Sequence, residues 1–530
     1  MNNKTITIFI TIILLSGLSV KAQQSSTPKL LVVATVDNMR PDYISRYWEN
    51  FEDGGFKRCF TQGAVLTNVV YNQLEQTPET NISTLLSGSY ISKHGIVGKI
   101  WYDHISNCDV DAVYGKLSSS EVSAPTPENL KSFTLGDGMK LILGKESKVF
   151  GVGTNEYTAI LGAGRTADAA YWIKNSTDGF TSSSYYKGAN SNMMESFNRN
   201  IFVPKADKYI WDASRNASYY KSSNADKSEL EKGFSDGRNT FPYSMSKYSD
   251  GDKQFIRKTP LANEMLKEFA IKLLSTEKLG KDNVADLLSI SFSSMGDANP
   301  YFGGHSMEME DLYIRLDKDI ESLLLSLDRE VGRGNYIFIL MPTTSGSIQP
   351  EEYKSLGLPG NYMDMERSKI LLKAFLNHSF GDGNWIRSFD DNQIILNRSE
   401  IEKKGKNLAD MQMQTAQFMT DFQAVRSAYS ANSLSNGKVG EQRYQNSYFQ
   451  SRTPDVLFDL YESYMPEYSD RISNYVHENK ISGVILGAKI KAQTLNKKID
   501  AIDIVPTIWH ILNVVSPFSY DGAIIEGLSN

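Results

Sequence analysis

Residues 30–43, LLVVATVDNMRPDY, constrain the fold of this chain more than any other stretch. A largely apolar, β-branched run ends at Asp37, and a helix-like segment follows. A run without polar alternation reads as a strand covered on both faces, as expected for a core strand of a parallel sheet packed between helices. Leu287–Phe292, Tyr336–Met341 and Gly483–Leu486 read as strands of the same kind. Helical patterns lie between them over Thr259–Ser275 and Glu310–Arg329, the latter with Leu312, Leu316, Ile320 and Leu323 at helical spacing. The alternation predicts an α/β fold, a doubly wound and mainly parallel sheet flanked by helices. Ligands of such sheets sit beyond the carboxyl ends of the strands, so Asp37 stands where a catalytic metal ligand would stand.

The first residues read as an export signal instead of part of this fold. Lys4 supplies the positive start, Ile6–Leu15 the apolar core, and Val20-Lys21-Ala22 the cleavage site, giving a signal over 1–22. The apolar core is too short to span a bilayer and no second long apolar run follows, so no transmembrane segment is expected in the mature chain. With no cysteine near the cleavage site, a lipid anchor is not expected either. The expected location is the periplasm or cell envelope of a Gram-negative bacterium. Cleavage removes two lysines and no acids, moving the formal charge from -6 to -8. That balance leaves no basic footprint for nucleic acid. Cys59 and Cys108 either pair in an oxidising compartment or stay as buried thiols. Neither lies in a Cys-x-x-Cys or Cys/His arrangement.

Residues 23–530 read as one enlarged domain with two insertions. The first, at about 175–258, is rich in Ser, Asn, Tyr and Lys; it is either a cap over the carboxyl edge of the sheet or a partly mobile surface loop. The second, at about 350–467, holds a helical part (Met363–His378), a hairpin-like part around Asp390–Leu396, and a long polar helix near Ile401–Ser427.

Several segments carry a family resemblance: VATVDNMRPDY, GGFKRCFTQGAVLTNVVYN, SGSYISKHGIVGKIWYD, AILGAGRTADAAYWI, TPLANEM, LSISFSSMGDANPYFGGHSMEMEDLYIRLD, LGLPGNYMD and DAIDIVPTIWHILNV. Together they resemble the alkaline phosphatase superfamily, in particular the monoesterase branch found in Bacteroidota, which is related to type I phosphodiesterases and nucleotide pyrophosphatases. The resemblance implies two zinc ions held by three aspartates and three histidines at strand ends, beside a threonine or serine that attacks phosphorus. Carboxylates and neutral imidazoles suit zinc, and the metals activate the nucleophile and stabilise the transferring phosphoryl group.

Matched position by position, most of that set is replaced. Asp37 fills the first aspartate position. The nucleophile position falls on Pro78, which has no hydroxyl and no N–H, with Thr77 and Thr80 as flanking hydroxyls. The second ligand loop places Gly296 at the aspartate position and Pro300 at the histidine position, with Asp297 one residue late. The third places Thr344 and Ser345 at its aspartate and histidine positions, and the last histidine position falls on Lys480, near His477. Of the phosphate-binding groups, an asparagine position is Lys99, and a Lys-Asp-Arg segment reads Asn155-Glu156-Tyr157, which removes bidentate phosphate recognition.

Each remaining residue also has a plain reading. Asp37 is expected to cap the next helix or bond backbone amides at the strand exit. Lys99 either neutralises an anion or, preferably, pairs with Asp37 or Asp297. His94 reads as structural, His477 as a surface residue, and His305 as nothing in particular. The leading expectation is therefore an exported, catalytically inactive relative that binds or scaffolds another envelope protein and needs no cofactor. The alternative is a zinc-dependent phosphomonoesterase or phosphodiesterase with a rebuilt site using Thr77 or Thr80 with Asp37 and Asp297. A third is a module for anionic or glycan ligands anchored by Lys99.

Overall fold

The computed structural model describes residues 27–528 apart from 118–123, 347, 438–440, 470–472, 474, 476 and 478–479. The expected export signal lies outside the described residues.

Ten strands form the central sheet: β1 (Leu30–Val36), β2 (Ala64–Val70), β3 (Val149–Gly153), β4 (Ala169–Asn175), β5 (Gly179–Ser182), β6 (Asp286–Phe292), β7 (Tyr336–Pro342), β8 (Ile481–Gly487), β9 (Gln493–Leu495) and β10 (Ile499–Asp500). Their spatial order is β9-β2-β8-β7-β1-β6-β3-β4-β5, with β10 also on β2. β1 lies at the centre, parallel to both β6 and β7, with Val33 opposite Ser289 on one side and Ile339 on the other. Every residue of β1, β6 and β7 is buried. This is the mixed α/β architecture that the apolar runs predict.

One strand departs from expectation. β8 runs antiparallel to both β7 and β2, so the Gly483–Leu486 run is not a parallel strand. Burial on both faces gives the same apolar composition in either direction, so the run carries no sign of its polarity. The reversal brings the start of β8 to the edge where β1, β2, β6 and β7 end.

The helices that position the cleft are α1 (Pro78–Ser87), α2 (Glu156–Ala163), α3 (Pro260–Thr276), α4 (Ser294–Phe302) and α5 (Met307–Leu327). In α5 the Ser306 hydroxyl accepts the Met309 N–H at 3.0 Å and caps the start.

Residues 175–258 contain only short elements, ordered by aromatic packing. Phe234 meets Tyr243, Phe255 and Phe302 at ring separations of 4.7–5.0 Å, and Trp211 is fully buried. Residues 350–467 contribute a four-stranded sheet and a separate apolar cluster that includes Leu372, Trp385, Ile394, Met411 and Phe458. The long helix expected near Ile401–Ser427 is instead two helices, Arg398–Lys403 and Leu408–Met419, followed by the strand Val425–Ser430. Gly405 turns the chain at φ +62, and the Asn407 side chain restarts it by accepting the Asp410 N–H at 3.0 Å.

Candidate functional site

The loops after β1, β2, β6 and β7 floor a cleft of about 860 Å³. Asp37, the first residue after β1, is 4% exposed. The Thr343 hydroxyl, from the end of β7, donates to its Oδ1, and Ser293 offers a second hydroxyl from the end of β6. Burial pushes the Asp37 carboxyl up to about 7; the two hydroxyls oppose this, and the charges of Asp297 and Glu79 add to it. The helix that follows, Pro41–Arg46, starts from Arg40 without a side-chain cap. Asp37 therefore does not serve as the expected helix cap, because the hydroxyls of neighbouring strand ends lie closer to hand than the helix amides. The next residue, Asn38, adopts φ 60, and its N–H donates to Thr344 Oγ1 at 2.9 Å.

Gly296 lies directly against Asp37. A Cβ built on Gly296 would stand 3.0 Å from the Asp37 Cβ and 3.8 Å from its Oδ2. Asp297, in the first turn of α4, also lines the cleft. Burial raises its carboxyl to about 6, against the opposing charges of Arg257, Lys258 and Lys99. Pro300 lies within α4 and lines the cleft as well.

The start of α1 faces the same space and is closed by its own residues. Thr77 is the N-cap: its Oγ1 accepts the Thr80 N–H at 3.3 Å, while Thr80 Oγ1 accepts the Thr77 N–H at 3.1 Å. The Thr80 hydroxyl donates towards the carbonyls of Thr77 (2.9 Å) and Glu75 (3.1 Å) and is fully buried. It therefore does not present a nucleophile, which corrects that candidate: the capping box uses the hydroxyl. Thr77 lines the cleft, but its hydroxyl also belongs to the cap. Pro78 supplies no N–H. Glu79, in the first turn of α1, lines the cleft; burial raises the pKa of its carboxyl, opposed by its own backbone N–H, by Lys99 and by Thr77. A helix N-terminus ordinarily attracts an anion; here a carboxylate of the chain itself answers it.

Lys99 is exposed, and its Nζ lies 4.6 Å above the Tyr157 ring. The expected ion pair with Asp37 or Asp297 does not form, because the ammonium settles on an aromatic face at the rim. Asn155 caps α2 by accepting the Thr158 N–H at 3.0 Å, and Tyr157 donates to Asp111 Oδ2 at 2.7 Å. Ser345 is buried outside the cleft lining. Lys480 is exposed beside the start of β8 and is likewise absent from the lining. His477 is not the expected surface residue: it is 5% exposed, and its Nε2 lies 2.9 Å from the Tyr464 carbonyl. His94 is buried, with Nδ1 accepting the Ile96 N–H at 3.1 Å and Nε2 2.9 Å from Thr84 Oγ1; burial, then Arg452, lowers its pKa to about 3. His305 pairs with Glu352 at 2.6 Å. Cys59 and Cys108 are both free thiols, the former buried and pushed up to about 12.

Residues 31–480 match the type I phosphodiesterase/nucleotide pyrophosphatase family. The chain belongs to that family. It is 27% identical to alkaline phosphatase PhoV of Synechococcus elongatus over 522 residues, 96% of this chain and 94% of the relative. Alkaline phosphatase PafA of Elizabethkingia meningoseptica is also 27% identical, over 505 residues and 92% of each chain. The crystal structure of wild-type PafA superposes with a TM-score of 0.87, covering 95% of this chain and 99% of that one. These likenesses place the chain in the alkaline phosphatase superfamily in fold and ancestry.

The family's two-zinc chemistry has a donor requirement that this cleft does not meet. Among the described residues no three His, Cys, Asp or Glu side chains are grouped to hold a metal ion. Asp37 accepts a hydroxyl proton where a metal would bond, and among the described residues no histidine lines the cleft. The residues present do not fit a zinc pair. Glu79 is the cleft residue that the sequence reading overlooked. Its signal was available: an acid at the second position of a helix opened by Thr-Pro is suited to answer the helix's own amides.

Proposed function

We propose that this chain is an exported alkaline phosphatase-like protein that has lost catalysis and serves as a binding or scaffold subunit in the cell envelope. Its partner would be another envelope protein, engaged by a single domain over 23–530 with insertions at about 175–258 and 350–467. No zinc is required. The observation that carries the proposal is the closed start of α1: Pro78 stands at the position matched to the nucleophile, the Thr77–Thr80 capping box uses both flanking hydroxyls, and the acid Glu79 sits in the first turn where a phosphate oxygen would approach. Replacement of metal ligands at separate loops, by Gly296, Pro300, Thr344 and Ser345, supports it independently, since removal of even one ligand weakens a zinc site severely.

Metal analysis and hydrolysis assays on purified mature protein test the proposal. Zinc well below ~1 ion per chain, with no turnover of p-nitrophenyl phosphate or its diester after zinc addition, is expected. About two zinc ions per chain with turnover would overturn it.

A further inference from the structure

Outside the cleft, the first insertion is seated on the body of the protein by a surface that holds two buried acids. Glu231, from the insertion, is 8% exposed, and Glu308, in the first turn of α5, is fully buried. The Tyr243 hydroxyl, also from the insertion, donates to Glu308 Oε1 at 2.5 Å. Glu308 Oε2 and both carboxyl oxygens of Glu231 are shielded from solvent and, among the described residues, receive no hydrogen bond. The residues that follow Glu231 dock the insertion. The N–H groups of Lys232 and Gly233 donate to the Tyr301 carbonyl at 2.9 and 3.1 Å, and the Phe234 ring packs on Phe302 at 4.9 Å.

A carboxylate buried without donors bears nearly the full cost of losing its water, whereas a neutral carboxyl group does not. The surrounding charges favour the neutral form as well. Burial raises Glu231 to about 9, and the charges of Glu308 and Asp226 add to the shift. Burial raises Glu308 to about 8; Tyr243 and the residue's own N–H oppose this, while Asp226 and Asp311 add to it. Burial and the Glu308 charge hold the Tyr243 hydroxyl protonated, far above its usual range. The bases that act on these neighbours are engaged. Arg238, whose charge bears on Asp226, bonds the carbonyls of Thr240 and Phe241, and Arg315 pairs with Asp311 at 2.7 Å.

We propose that Glu231 and Glu308 form a proton-operated latch: as neutral acids they hold residues 226–243 of the first insertion on α4 and α5, and their ionisation releases that segment. Both carboxyls bind the proton more tightly when docked than when freed, where they return to the usual value of 4.5. Docking is therefore tightest below about pH 4.5 and weakens as pH rises through about 8 to 9. The release reaches the cleft. Phe234 also packs on Tyr248 and Phe255, at 5.3 and 4.7 Å, and Phe255 leads directly into Arg257 and Lys258 of the cleft wall. The latch thus couples mildly alkaline pH to access from that side, whether or not the cleft is catalytic.

Hydrogen–deuterium exchange of the full mature chain from about pH 6 to about pH 9, corrected for the intrinsic pH dependence of exchange, tests it. Protection of the Lys232 and Gly233 amides should fall by up to about a hundredfold per pH unit below pH 8, the effect of releasing two protons, while the amides of β1 stay protected at every pH. Glu231→Gln and Glu308→Gln should each reduce that slope to about tenfold per pH unit, since one titrating group remains. The pH series on the parent protein needs no variant, so it decides the matter even if Glu308→Gln folds poorly. Protection that does not change with pH, a loss shared equally by β1, or an unchanged slope in Glu231→Gln overturns the inference.

Discussion

The body of the central sheet and its carboxyl edge have followed different rules. In β1, β6 and β7 every residue is buried, and the chain as a whole superposes on an alkaline phosphatase with a TM-score of 0.87. A few ångströms further on, Gly296, Pro300, Thr344 and Pro78 stand at positions where the resemblance calls for ligands and a nucleophile. The strand bodies are held by non-directional apolar burial, which many residues satisfy as long as volume is kept. Catalysis instead depends on particular atoms within fractions of an ångström, so a handful of changes removes it without disturbing the scaffold. If catalysis is lost as proposed, fold and activity are separable in this chain, and the edge is where they part.

That contrast can be broken or sharpened experimentally. The largest effect is expected in the strand body: Phe338→Ala, at the centre of β7 and fully buried, should cost about 3–5 kcal/mol in chemical denaturation. A loss below about 1 kcal/mol would mean that the body is as tolerant as the edge. At the edge, Asp37 gives an effect of opposite sign. Its carboxyl is held up at about 7 from a usual 3.8, so the folded state binds the proton more tightly than the unfolded state does. Stability is then full below about pH 4 and falls as pH rises through 7. Asp37→Asn cannot ionise, so it should gain on the parent protein with rising pH, by up to about 4 kcal/mol near pH 8, read from denaturation midpoints at several pH values. A destabilised Asp37→Asn that no longer responds to zinc would instead place a metal at the edge.

Smaller effects follow at the helix start and the rim. Thr77→Ala removes the cap of α1 and should cost about 1 kcal/mol by thermal denaturation. Because Pro78 and Glu79 close this terminus, the change should alter stability without altering any hydrolysis. Lys99→Ala removes an exposed cation–π contact and should change stability by about 0.5 kcal/mol or less. A larger loss would place Lys99 in an ion pair that the geometry does not contain.

Much of the fold was legible in the chain. The runs at Leu30–Val36 and Tyr336–Met341 could be read directly because burial on both faces writes itself as unbroken apolar sequence. The direction of β8 could not, since that composition is the same for parallel and antiparallel neighbours. The break at Gly405 inside the polar helical region was missed because the pattern on either side remains helical. At the site, the replacement of ligands was visible by position. The acid of Glu79 behind Thr-Pro was legible as a helix-start signal, but its place in the cleft was not, because a sequence does not show that the start of α1 faces that space. His477 looked like a surface residue because the packing of Tyr464 and Tyr475 around it is non-local.

By itself, then, the sequence determined the α/β sheet, the family and the identity of the residue at each family position, because periodic burial and ordered motifs are properties of the chain in one dimension. Tertiary structure decided what the remaining groups do. It gave Asp37 a threonine hydroxyl for a partner, set Lys99 on Tyr157 instead of on a carboxylate, and gathered Asp37, Glu79, Asp297 and Asn299 around one cleft. Those outcomes depend on strand ends far apart in the chain meeting in space, where hydrogen bonding and charge act over a few ångströms whatever the sequence separation.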